Sequence, residues 1–132
     1  MLRSVAAIVG GYLTVVLGVT TLFSFIVFVI LRADLSNPEA FHAPAWLLWV
    51  EVITSPLIAI VGGYVCAWIA KRRPMHHAFV LVGVMASMSV LSAIREAGTD
   101  KPLWTSVAVG VLGCAAIPLG ARLRIAHVRA TS

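Results

Sequence analysis

Four stretches of this chain carry no charged residue: Ser4–Leu31, Val52–Ala70, Ala78–Ile94 and Pro102–Ala121. A helix needs about 20 apolar residues to cross the roughly 30 Å of hydrocarbon in a bilayer, and about 17 is the lower limit. The shortest run, Ala78–Ile94, reaches that limit. Hydrophobic residues make up 61% of the chain and charged ones 11%, and the mean hydropathy is +1.01. A water-soluble domain this small buries too little of its surface to hide so much apolar side chain. Period-2 alternation is absent, and open strands cannot leave their backbone groups unpaired in lipid. The sequence therefore predicts an all-α membrane protein. It forms one transmembrane domain over residues 1–132, with helices at about 4–32, 44–70, 76–95 and 102–122 as two hairpins of an antiparallel up-down bundle.

Arg3 precedes the first run in the manner of a signal peptide. The run is far longer than the apolar core of about 7–15 residues that such peptides carry, and no small-x-small cleavage site follows it. A retained first helix is expected.

Lys and Arg set the orientation. With the N-terminus in the cytoplasm, Arg3, Lys71, Arg72, Arg73, Arg122, Arg124 and Arg129 lie inside, and only Arg32, Arg95 and Lys101 lie outside. Asp34, Glu39, Glu96 and Asp100 then also fall outside, with Glu51 at the same end. Both termini are expected in the cytoplasm. The net charge of +5 is explained by this asymmetry and does not argue for nucleic acid. Lys71, Arg72, Arg73, Arg122 and Arg124 form a cytoplasmic basic set suited to anionic lipid headgroups.

The pentapeptide Ile-Val-Gly-Gly-Tyr occurs at residues 8–12 and again at 60–64. Alternating steps of three and four residues pick out Ala7, Gly11, Thr14 and Gly18 in the first helix, Ala59, Gly63 and Cys66 in the second, and Gly110 and Gly113 in the fourth. Lipid supplies no hydrophobic force between helices, so small residues that let backbones approach are the expected packing surface. Gly11 and Gly63 each lie eight residues from a cytoplasmic base, about 12 Å at helical rise. The two pentapeptides should therefore meet at one depth. A duplicated hairpin is a further reading, since Val-Gly-Val recurs at 82–84 and 109–111.

The first hairpin is longer than the second and should tilt or project on the outer side. Phe41, Trp46, Trp49 and Trp104 suit an outer aromatic belt, and Tyr64 and Trp68 an inner one. Asn37-Pro38 and Ala43-Pro44 bracket the outer loop, and Arg73-Pro74 ends the inner turn.

Few residues suggest chemistry. Glu51 lies about 30 Å along the axis from Lys71. That distance makes it an outer interfacial carboxylate with Arg95 or Arg32 as partner, and a functional intramembrane acid is the sharper alternative. Adjacent His76 and His77 project about 100° apart on a helix and do not share a metal easily. His42 and His127 fall on opposite sides of the membrane. Cys66 and Cys114 lack a C-x-x-C spacing and read as packing residues. Ser87, Ser89 and Ser92, with Met85 and Met88, make the third helix the most polar span; each serine can also return its hydroxyl to a carbonyl one turn back. Pro118 should kink the fourth helix and release the carbonyl of Cys114. No phosphate loop or convergent catalytic set is present. No enzymatic activity, metal or cofactor is expected.

The stretch IVGGYVCAWIAKRRPMHHAFVLVGV resembles a pattern in uncharacterised small bacterial four-helix inner-membrane proteins. There a Gly-Gly-Tyr helix end, a basic Arg-Pro turn and a His-bearing helix start recur. The similarity covers about residues 56–121 and implies a bacterial inner (plasma) membrane location, with no activity attached to particular residues.

The leading functional expectation is a non-catalytic accessory or structural module that engages other helices. Its partners are the lipid bilayer and either another membrane protein or a second copy of itself. A small oligomeric transporter or channel is the first alternative, favoured by a cavity lined by Ser87, Ser89, Met88 and Thr14. A binder of an apolar ligand such as a lipid, quinone or pigment is the second, favoured by a dry slot near Tyr12 or Tyr64.

Overall fold

The computed structural model describes residues 2–32, 44–71, 73–98 and 102–131, with the side chains of residues 2 and 3 left aside. Asp34, Asn37, Pro38, Glu39, Phe41, His42, Ala43, Arg72, Asp100 and Lys101 lie outside the described residues, as does the side chain of Arg3.

Four α-helices account for nearly all of the described chain: α1 Leu2–Phe25, α2 Ala45–Ala70, α3 Pro74–Glu96 and α4 Leu103–Thr131. Among the described residues there is no strand. Each helix is long and apolar enough to cross a membrane. The π-turn Ile26–Ile30 prolongs α1, and the Leu31 N–H donates to the Ile26 carbonyl at 3.0 Å. Arg32 ends it with φ at 48°.

Pro44 opens α2 and accepts a bond from the Leu47 N–H at 2.9 Å. The helix runs without interruption through Pro56, as α4 does through Pro118. Proline has no N–H, so each deprives a carbonyl one turn earlier of its helical donor.

The fourth helix outruns its expected end near residue 122. Residues 121–131 hold no Gly or Pro and are rich in Ala and Arg, strong helix formers. The helix therefore continues beyond the apolar run to Thr131.

The link from α2 to α3 is very short, and it is bought with backbone strain. Lys71 and Arg73 both take φ of 50°, a left-handed region that costs an L-residue with a side chain about 1–2 kcal/mol. Pro74 then starts α3 at a position where its missing N–H is not needed.

The centre of the molecule is the α2–α4 pair. About 33% of the apolar window of α2 and 28% of that of α4 are buried, against 11% for α1 and α3. The core is built almost wholly of small side chains: Ala7, Ala59, Cys66, Ala67, Ala70, Ala78, Ala116 and Ala121, with Leu81 and Ile117 filling the gaps. Large apolar residues point outward instead, among them Leu17, Ile53, Trp68, Phe79, Ile94, Val111 and Leu123. This inversion suits a lipid solvent, in which association depends on close backbone approach.

The glycines show how close that approach is. A Cβ on Gly63 or Gly120 would overlap the carbonyl oxygen of Ile117 or Ile60 respectively, locking α2 onto α4. On α1, a Cβ at Gly10 would sit 2.7 Å from Ile69 Cδ1, one at Gly11 2.8 Å from Cys66 Cβ, and one at Gly18 2.7 Å from Ile58 Cγ2. α1 leans chiefly on α2, touches α3 sparsely and has no contact with α4 among the described residues.

Candidate functional site

Because α1 does not reach α4, the four helices leave a cleft between them. It has two adjoining chambers of about 250 Å³ and about 260 Å³. Val16, Glu51, Met85, Ser89 and Val109 border both, so each helix contributes to the shared wall. The first chamber adds Val15, Ser55, Gly113 and Cys114. The second adds Tyr12, Met88, Ser92, Glu96 and Ser106.

Polar groups come from all four helices, with Tyr12 and Thr20 supplied by α1. α2 presents Glu51 and, one turn on, the buried Ser55. α3 presents Ser89, Ser92 and Glu96, and α4 presents Ser106. The Ser106 hydroxyl donates to Glu96 Oε2, so the short α3–α4 connection brings an acid and a serine together at the cleft wall. Valine, methionine, alanine and glycine make up most of the remaining wall, with Tyr12, Thr20 and Cys114 among them. Among the described residues no Lys, Arg or His borders either chamber.

Glu51 is half-buried and lines the cleft. Arg32 and Arg95, its expected partners, are exposed and border neither chamber. The serine-lined cavity is only in part the expected one. Ser89 and Met88 border the cleft, whereas Ser87 is exposed and donates to the Gly83 carbonyl at 2.9 Å, and Thr14 donates to the Gly10 carbonyl at 2.7 Å. The slot near Tyr12 carries two carboxylates and several hydroxyls and is not dry.

The small residues chosen by spacing divide into two groups. Ala7, Gly11, Ala59, Gly63 and Cys66 are buried. Gly11 and Cys66 meet across α1 and α2, with Leu81 of α3 against the same point. Gly63, expected to face α1, faces α4; its neighbour Gly62 meets Val15 and the Gly11 carbonyl instead. Gly18 takes Ile58, and Gly110 takes Ser89, whose Cβ would be 3.1 Å from an added methyl. Gly113 differs from the other glycines of the packing set. It is buried, yet nothing lies within 4 Å of the position a Cβ would take, because it borders the cleft.

Sequence reasoning places Glu96 among the outer acids and misses its link to Ser106. The available signal was their position at either end of one short connection.

At the opposite end of the bundle, Lys71 and Arg124 are brought together with Arg129 around a second cleft. Arg73 and Arg122 are exposed and do not border it. His76 and His77 stand edge to face at 5.8 Å between ring centroids. His77 Nδ1 lies 3.1 Å from the Arg73 carbonyl oxygen, which gives it a structural role in starting α3. Among the described residues no group of His, Cys, Asp or Glu is arranged to hold a metal ion.

The cleft is equipped for binding. Carboxylates and hydroxyls at one corner take hydrogen-bond donors, and the valine and methionine walls take an apolar body. Acyl transfer is poorly served: a carboxylate is a weak base for a serine hydroxyl without an intervening His, and helical N–H groups are already committed to the helix. No protein-family model, no curated protein and no solved structure matches this chain.

Proposed function

We propose that this chain is a non-catalytic integral membrane module that holds a small guest in the cleft among its four helices. The guest has an apolar body and a hydrogen-bond-donating head. The bundle is antiparallel, with both termini on the cytoplasmic face of a bacterial inner membrane. The order of contacts supports the antiparallel reading: Gly10, Gly11 and Gly18 meet Ile69, Cys66 and Ile58, while Val82, Ser89 and Glu96 meet Cys114, Gly110 and Ser106. The charge asymmetry of the connections supports the orientation.

The observation that carries the binding reading is the shared wall of the two chambers. Glu51 and Ser89 stand there beside Val16, Met85 and Val109. Methionine adapts to guests of different outline, and a few placed polar groups in an apolar pocket are the usual means of orienting one.

The test is purification in a mild detergent followed by mass spectrometry of bound small molecules. A stoichiometric guest should accompany the wild-type protein and be lost from Ser89→Phe, which fills the shared wall, and weakened in Glu51→Gln. A folded wild-type protein that carries no guest and binds none from a membrane extract would overturn the reading.

A further inference from the structure

We infer that the cleft at the far end of the bundle is a site for the phosphate headgroup of an anionic phospholipid, held by Lys71, Arg124 and Arg129. The cleft has a volume of about 440 Å³ and lies where the end of α2 and the start of α3 meet the last turns of α4. It is independent of the guest cleft, which it shares no residue with.

Three features point to this occupant. The first is charge. Among the described residues, the three ionisable groups on the wall are all basic and no acid borders it. A phosphodiester offers acceptor oxygens that a guanidinium can engage in pairs and an ammonium as a point charge. The second is pre-organisation. Arg124 lies over the Tyr64 ring, 5.7 Å from its centroid, a cation–π contact that narrows the freedom the side chain would lose on binding.

The third is the rest of the wall. Trp68, Ile125 and Val128 are apolar, and Trp68 is 57% exposed. A free, fully hydrated phosphate gains nothing from such a surface, whereas the glycerol and first acyl carbons of a lipid would cover it. Tryptophan also prefers the headgroup level of a bilayer. On α4 the pairs Arg124/Val128 and Ile125/Arg129 are each four residues apart, so one face of the helix alternates base and apolar contact. The extension of α4 to Thr131 is what supplies both pairs.

The experiment uses the full chain in a neutral detergent, titrated with phosphatidylglycerol, phosphatidylcholine or inorganic phosphate. Retained lipid is read by native mass spectrometry and stabilisation by thermal unfolding. Phosphatidylglycerol should be retained at about one per protein and raise the unfolding temperature, and the other two should do neither. Lys71→Gln/Arg124→Gln/Arg129→Gln should lower retention at least tenfold, and Arg122→Gln should change it less than twofold.

Equal loss in Arg122→Gln would mean diffuse surface charge, competition by inorganic phosphate would mean a free-anion site, and equal retention of phosphatidylcholine would mean ordinary annular lipid. Each overturns the inference. If the triple variant does not fold, the wild-type protein still decides. Phosphatidylglycerol brominated near the carbonyl end of its chain should quench tryptophan emission, and the quenching should disappear in Trp68→Phe. Quenching unchanged by Trp68→Phe would overturn the inference as well.

Discussion

A Cβ on Gly11 would sit 3.1 Å from the Gly62 carbonyl oxygen, and one on Gly62 would sit 3.0 Å from the Gly11 carbonyl oxygen. The two copies of the pentapeptide thus bring their backbones close together, with the side chains of Val15, Cys66 and Leu81 packed around the contact. Gly63, one residue further, gives its own missing side chain to the Ile117 carbonyl of α4. The doubled glycine of α2 therefore serves two neighbours on two faces.

Gly63 of α2 and Gly113 of α4, chosen by the same spacing, should respond to the same substitution differently. Gly63→Ala drives a methyl into the Ile117 carbonyl and should cost more than about 2 kcal/mol, the range of overpacking without room to relax. Gly113→Ala meets open space at the cleft wall and should be neutral or stabilising by up to about 1 kcal/mol through helix propensity. Val9→Leu, at a position 47% exposed, should change little. Thermal unfolding in detergent reads all three; equal losses for Gly63→Ala and Gly113→Ala would refute the packing account.

The α2–α3 turn offers a test of backbone strain that leaves charge constant. Arg73 sits at φ 50°, ψ 53°, a conformation Asn tolerates and a β-branched residue does not. Arg73→Asn should match or slightly exceed the wild type in stability, and Arg73→Val should fall below it by about 1–2 kcal/mol. Both remove the same charge, so their difference in unfolding temperature isolates the backbone term.

Orientation is checked by cysteine labelling after Cys66→Ala and Cys114→Ala. A cysteine placed at Ala97, exposed at the end of α3, should react with an impermeant reagent in intact cells. Cysteines at Met75 or Thr131 should react only after permeabilisation. Reaction at Met75 in intact cells reverses the proposed topology.

Transport through the guest cleft makes a different prediction at Glu51. A binding module should give vesicles no proton or cation flux above empty controls, and Glu51→Gln should alter guest retention alone. If Glu51 gated a passage, flux would exist, vary with pH and vanish in Glu51→Gln. A pH-dependent current abolished by that one substitution would replace the binding reading with a transport one.

Four helices were legible in the sequence because bilayer thickness imposes a length that uncharged runs either meet or miss, and the runs here meet it. The small-residue spacing was legible too, since Ala7 and Gly11 recur at the period of one face of α1, and Ala59, Gly63 and Cys66 at that of α2. What local spacing could not decide is which neighbour each face meets. Adjacent residues on a helix point about 100° apart, so the assignment of Gly62 to α1 and Gly63 to α4 follows from where those helices stand around α2. The cleft is likewise tertiary. It exists because α1 stops short of α4, and that gap turns Gly113 from a packing contact into a wall and draws Glu51, Glu96 and Ser106 from three helices to its border. The end of α4 had the same character: charge marked where the apolar run stopped at Ala121, and helix propensity with packing against α2 carried the helix on to Thr131.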